Sequence, residues 1–224
     1  MQLSKYIAAA WFSILALVSA HAVQAQQPIA GKEYEVLSQP RPTDTPKILV
    51  VEFFSYACPA CASFEPYLQD WLKRKPQDVE YLAVPMAFRD TWVPLAKMYY
   101  TLKIMGVQEK LHPKIFDAIH GEKVEMSTDQ QVFDWIGKQG VDVGKFKSIY
   151  ASPGVDSKVS GGTHLGKQYG INGTPAVGVN GRYRTSPKLV FDAGAKDINR
   201  FFSVLDQLIA MERAKAASKK PAKG

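Results

Sequence analysis

ILVVEFFSYACPACASFEPYLQDWL, residues 48–72, is the stretch from which the fold is read. Ile48 to Phe54 is short, β-branched and aromatic, follows a turn signal, and predicts a buried strand. A helix is expected to open at Cys58-Pro59-Ala60-Cys61, because proline suits a first helical turn, where its missing N–H would be unpaired anyway. Phe64, Leu68, Trp71 and Leu72 recur at i, i+4, i+7 and i+8 and form one apolar face, with Pro66 expected to kink the helix and not to end it. Cys58 and Cys61 are the only two cysteines in the chain. A structural disulfide stabilises most when it closes a long loop, and this one would close almost nothing. The pair therefore points to chemistry, a disulfide that opens and closes.

Val79 to Val84 reads as a second strand, so that strand–helix–strand makes a right-handed βαβ unit. From Trp92 the chain turns helical. Pro94–Ile104 and Leu111–Ile119 are candidate helices, a third follows the cap cluster Ser127-Thr128-Asp129, and Val143–Tyr150 is a fourth. Val159–Tyr169 is expected to return to the sheet, stopped by Gly170. Asn180-Gly181 between two short extended runs signals a hairpin, and a final helix covers about Lys196 to Ala214. Tyr34 to Leu37 is a candidate edge strand. The order implies one domain inserted in another: 26–91 with 160–212 around a helical block at 92–159, then a basic, disordered tail at 213–224.

The first residues decide the compartment. Lys5 precedes the uncharged run Ile7 to Val18, and small residues follow at Ala20-His21-Ala22 and Val23-Gln24-Ala25. These are the three parts of a secretory signal peptide over residues 1–25, cleaved after Ala25 or, next, Ala22. The run is shorter than the roughly 20 residues a spanning helix needs. Export places the thiols in an oxidising compartment, a bacterial periplasm. The chain has 28 basic and 21 acidic residues, and removing Lys5 with the signal leaves a formal net charge of +6. The last thirteen residues carry +4 of it, so the folded body is near neutral, against a nucleic-acid binder.

At a helix N-terminus the free N–H groups and the macrodipole favour negative charge. Cys58 gains most and is expected to be the exposed nucleophile with a lowered pKa; Cys61, one turn in, is expected to be shielded and to attack back on mixed disulfides. A structural zinc site needs about four N or S ligands, and the mature chain offers only His112, His120 and His164 beside this pair, read as surface or partly buried helix residues. No metal or other cofactor is expected.

Phe53 to Cys61, the preceding Glu52, the helical insertion and Gly173-Thr174-Pro175-Ala176 together resemble the DsbA family of periplasmic thiol:disulfide oxidoreductases, over about Lys32 to Met211. The resemblance implies an α/β, thioredoxin-like fold with an inserted all-helical domain. It implies a cis Thr174-Pro175 bond facing the cysteines, whose backbone receives the substrate, and Glu52 as a buried acid relaying the proton of Cys61. Unfolded exported proteins would be the substrates and a DsbB-like, quinone-linked membrane protein the reoxidant, with the enzyme a monomer. Many members carry His where this chain has Ala60; with Pro59 this dipeptide tunes the couple, and alanine predicts a less oxidising disulfide. The alternatives are a disulfide reductase or isomerase kept reduced, and a CxxC soft-metal chaperone. Too little chain precedes Thr45 for the N-terminal dimerisation domain of the isomerases.

Overall fold

The structure, a computed structural model, describes residues 26–218. The expected signal peptide, residues 1–25, and the end of the basic tail lie outside the described residues. Five strands form one mixed sheet: β1 (Glu35–Val36), β2 (Ile48–Phe54), β3 (Val79–Pro85), β4 (Ala176–Val179) and β5 (Tyr183–Thr185), in the order β1-β5-β4-β2-β3. β2 is central. It pairs in parallel with β3 from Ile48↔Val79 to Phe54↔Pro85, and antiparallel with β4 from Val50↔Val179 to Phe53↔Ala176. Nearly every β2 residue is buried, the pattern of a strand covered on both faces and not of a half-exposed one.

One face is covered by α1 (Pro59–Arg74) and α8 (Asn199–Ser218). Phe64, Leu68 and Trp71 of α1 pack with Phe201, Leu205 and Leu208 of α8 against Val50, Val177 and Val179. The α1 helix runs unbroken through Pro66. The other face receives Leu165 of α6 (Pro153–Gln168) and Tyr169, against Val51, Phe53 and Val84. Between β3 and α6 lie α2 (Val93–Ile104), α3 (Gln108–Phe116), α4 (Asp129–Gly137) and α5 (Val143–Tyr150), with a π-helical turn at Asp117–Gly121. Thr128 and Gln131 cap α4 reciprocally, as its cap cluster predicts. Their apolar core does not stop at the insertion: it runs on through Phe54 and Tyr56 to Cys58 and Cys61.

The structure differs from the sequence reading in three places. The boundary placed at 159/160 falls inside α6, which starts at Pro153 because Ser152 caps it, and which sets Gly162 where a Cβ would meet Tyr100 and Val84 at 3.0 Å. The region from 213 opens as helix, not as an irregular tail: α8 continues to Ser218 because Arg213 forms a forked pair with Asp78 at 2.8 and 2.9 Å and Lys215 reaches the Tyr183 hydroxyl. A six-residue helix, α7 (Pro187–Asp192), follows β5, capped by Ser186 with Pro187 in its first turn. The Asn180-Gly181 hairpin forms as expected, both residues at positive φ.

Gly178 of β4 lies directly under the Tyr169 ring, where a Cβ would overlap ring carbons. Tyr169 in turn receives the Gly181 amide on its hydroxyl at 3.0 Å. Gly178→Val is expected to destabilise the protein by about 1–3 kcal/mol through overpacking, which thermal denaturation would register as a drop of several degrees.

Candidate active site at the start of helix α1

Cys58 occupies the N-cap of α1 with extended backbone angles, φ −91° and ψ 114°, and Pro59 is the first helical residue. This local geometry places Ala60 and Cys61 at the second and third helical positions, in the open first turn, where the Cys61 N–H also meets the Cys58 carbonyl at 3.0 Å. As a neutral thiol Cys58 makes no capping hydrogen bond. As a thiolate it takes that role. The Cys61 thiol donates to it first of all, the Thr174 side chain and the Cys61 and Ala60 amides add theirs, and together they outweigh partial burial to bring Cys58 down to about 5. Burial acts the opposite way on Cys61, 1% exposed, pushing its thiol far up; the proton it shares with Cys58 and the neighbouring thiolate add to the shift. Two thiols three residues apart are thus shifted in opposite directions, and Cys58, 9% exposed, is buried under the Thr174 carbonyl where the sequence predicts an exposed nucleophile.

Facing them is the Thr174-Pro175 peptide bond, which is cis. The Cys58 thiol donates to the Thr174 carbonyl at 3.3 Å. From this point a groove of about 1150 Å³ runs between α1 and α7, with Ala60, Tyr67, Thr174, Pro175, Leu189 and Phe191 among its lining residues. Tyr67 and Phe191 are exposed aromatic residues at its walls. Pro59 and Ala60 are exposed, and Ala60 lines the groove at its cysteine end.

Glu52 lies on β2, 2% exposed, on the same sheet face as Val50 and Phe54. The Tyr81 hydroxyl donates to its carboxylate. Burial, then the charge of Glu65, push Glu52 up to about 8, against a smaller downward pull from Tyr81. No hydrogen bond joins Glu52 to either sulfur among the described residues.

The sequence reading missed Tyr81, Glu65 and the placement of two histidines. His112 is buried, contrary to the expectation of a surface or partly buried residue, because it shares the apolar face of α3 with Leu111, Ile115 and Phe116. That neighbourhood was the available signal. His112 and His120 both turn toward Tyr56, beside the cysteines.

Residues 81–206 match the model of a family described as DSBA-like thioredoxin domain. The chain is 42% identical over 195 residues to the thiol:disulfide interchange protein DsbA of Bordetella pertussis, covering 87% of this chain and 90% of that protein. It is 38% identical over 197 residues to the protein of the same name from Pseudomonas aeruginosa, with the same two coverages. The crystal structure of Pseudomonas aeruginosa DsbA superposes with a TM-score of 0.77 at 37% identity, over 84% of this chain and 96% of that one.

Proposed function

The chain belongs to the DsbA family of thiol:disulfide oxidoreductases, and from that premise we propose that it is the oxidising kind, passing its Cys58–Cys61 disulfide to unfolded, exported proteins in the periplasm. The observation that carries this reading is the contact of Cys58 Sγ with the Thr174 carbonyl at 3.3 Å, at the mouth of the groove, with Cys61 buried beneath. A substrate thiolate attacks Cys58 Sγ. The bond to Cys61 breaks, and Cys61 leaves with the electron pair and takes up a proton. The substrate's second thiolate then attacks the substrate sulfur of the mixed disulfide, and Cys58 departs as a thiolate. Two electrons have passed to the enzyme.

Each step has a cause in the site. A thiolate leaves faster as its pKa falls, so Cys58, lowered to about 5, is a good leaving group in the second step. The same stabilisation favours the reduced enzyme, which makes the disulfide oxidising. Cys61, pushed up by burial, leaves only with a proton, and Glu52, held protonated to about pH 8, is the acid proposed to supply it. Thr174 and Pro175 present main chain to the incoming segment, a recognition suited to many substrates because it does not read side chains.

Residues 1–25 would direct export, and a DsbB-like, quinone-linked membrane protein would draw the two electrons off. Alkylation of thiols in intact cells tests the direction: the pair is expected to be mostly oxidised, whereas a mostly reduced pair would make the enzyme a reductase or isomerase.

Ala60 leaves the dipeptide without a side-chain donor. Ala60→His is expected to stabilise the Cys58 thiolate further, each unit of added pKa shift being worth about 1.4 kcal/mol, or about 30 mV in this two-electron couple. Equilibration with glutathione buffers would show the variant as the stronger oxidant.

A further inference from the structure

Tyr56 lies two residues before Cys58, and the helical insertion holds it at both ends. Its hydroxyl meets His112 Nδ1 at 2.7 Å, and its main-chain carbonyl accepts from His120 Nε2 at 2.8 Å. The other ring nitrogen of His112, Nε2, faces Glu65 Oε1 at 3.2 Å. With a carboxylate at Nε2, that nitrogen carries the proton, and the single lone pair of Nδ1 is left to accept from the Tyr56 hydroxyl, beside which Gln108 Nε2 lies 2.9 Å from the same nitrogen. Glu65 lies one turn beyond Cys61 on α1, and Gln69 also donates to its Oε1, at 2.7 Å. One imidazole thus bridges the turn that leads into Cys58 and the helix that leads away from Cys61.

Packing alone would not need this arrangement. Tyr56 and His112 sit among Phe54, Tyr99 and Phe116, with ring centroids 5.1 to 6.5 Å apart, where an apolar ring would fill the same space. Hydrogen bonds add direction, and here they fix one residue by side chain and main chain together. Below Tyr56 the turn is closed by Cys58 N–H to the Ser55 carbonyl at 3.1 Å and Ala57 N–H to the Ser55 hydroxyl at 3.2 Å. The His120 side of the grip comes from the π-helical turn Asp117–Gly121, a backbone irregularity that turns the ring toward the loop.

We propose that His112 and His120 are positioning residues for the redox centre: through Tyr56 and Glu65 the inserted helices hold Cys58 on its stabilising donors and opposite Thr174. Loss of the grip lets the Cys58 sulfur drift from the Ala60 and Cys61 amides, which disfavours the thiolate.

The proposal rests on Cys58 being the sulfur that exchanges with substrate and carries the thiolate, which is checked separately in the unaltered protein: its low-pH thiolate absorbance must disappear in Cys58→Ser. The test then compares His120→Ala, His120→Gln and His112→Phe by thiolate titration, glutathione equilibrium and thermal denaturation. His120→Ala and His112→Phe are each expected to raise the Cys58 titration midpoint by about one unit, roughly a tenfold loss of thiolate at a given acidic pH, and to make the disulfide less oxidising. His120→Gln, which keeps an N–H donor, is expected to restore most of the loss. His120 is half-buried, so its replacement leaves the core intact even where His112→Phe fails to fold. Unchanged titration and glutathione equilibrium in a folded His120→Ala protein, with only the melting temperature lowered, would overturn the proposal.

Discussion

Replacing Cys61 with Ala is expected to abolish catalytic disulfide formation and to leave Cys58 locked in mixed disulfides with its substrates. Without Cys61 the enzyme has no internal disulfide to give. Cys58 still exchanges with substrate disulfides, because its thiolate is formed by the Thr174 side chain and the helix amides as well as by the Cys61 thiol. What disappears is the attack that releases it. A thiol held within one turn acts at an effective concentration of about 10⁵ M or more when well oriented, and millimolar external thiols replace it poorly. Non-reducing electrophoresis of exported extracts would show high-mass adducts that collapse on reduction. Cys58→Ser is the reciprocal case: no adducts and no oxidation. Adducts in Cys58→Ser, and none in Cys61→Ala, would reverse the roles assigned to the two sulfurs.

Glu52→Gln is expected to slow oxidation of a dithiol substrate on the order of 10², the lower end for loss of general acid–base catalysis. Cys61 cannot leave as a stable thiolate, since burial pushes its thiol far up. An acid that is protonated at neutral pH shortens the path of that proton, and Glu52, at about 8, is one. The pH profile separates this role from a structural one. In the unaltered enzyme the rate of reduction should fall as pH rises through about 8, when Glu52 gives up its proton. In Glu52→Gln that inflection should vanish. Rapid-mixing fluorescence between the two redox forms, followed against pH, would show it. A uniform decrease with the inflection retained would assign the titration to another group.

The parts of this molecule that were legible in the sequence are those set by local chemistry. β2 is readable because a strand buried on both faces is apolar almost throughout, and Glu52 stands out in it for the same reason. The helix start is readable from Cys58-Pro59, the hairpin from Asn180-Gly181, and the α4 start from Thr128 with Gln131. The cis bond at Pro175 was reached through family resemblance, since nothing local distinguishes it from a proline opening a strand. What was missed is tertiary. α7 is six residues long, and its signal, Ser186-Pro187, is brief. The reach of α8 depends on Asp78, which lies 135 residues before Arg213. Tyr81, His112 and His120 become parts of the site only when β3 and the insertion fold against β2 and α1. A histidine on a helical apolar stripe reads as packing until its partners are in view.

The opposite shifts of the two buried groups also have opposite consequences for stability. Cys58 is lowered, so in the reduced protein its contribution is complete above the ordinary thiol value of 9.0 and is lost as pH falls toward about 5. Glu52 is raised, so its contribution is present below the ordinary 4.5 and is lost as pH rises toward about 8. Oxidation removes the Cys58 contribution together with that of Cys61, whose raised thiol changes stability only above the ordinary 9.0. The gap in stability between reduced and oxidised protein is therefore expected to widen, in favour of the reduced form, from about pH 5 to about pH 9.

The helix start and its neighbours are expected to hold Cys58 as a thiolate while Cys61 keeps its proton. The pH dependence of the reduction potential tests it most directly, because the slope counts the protons taken up with the two electrons. With one thiolate the potential should fall by about 30 mV per pH unit, and with two thiols by about 59 mV. The predicted result is the shallow slope across neutral pH, steepening below about pH 5. A steep slope persisting through neutrality, with its break near the ordinary thiol range, would mean that both sulfurs are held as thiols at neutral pH.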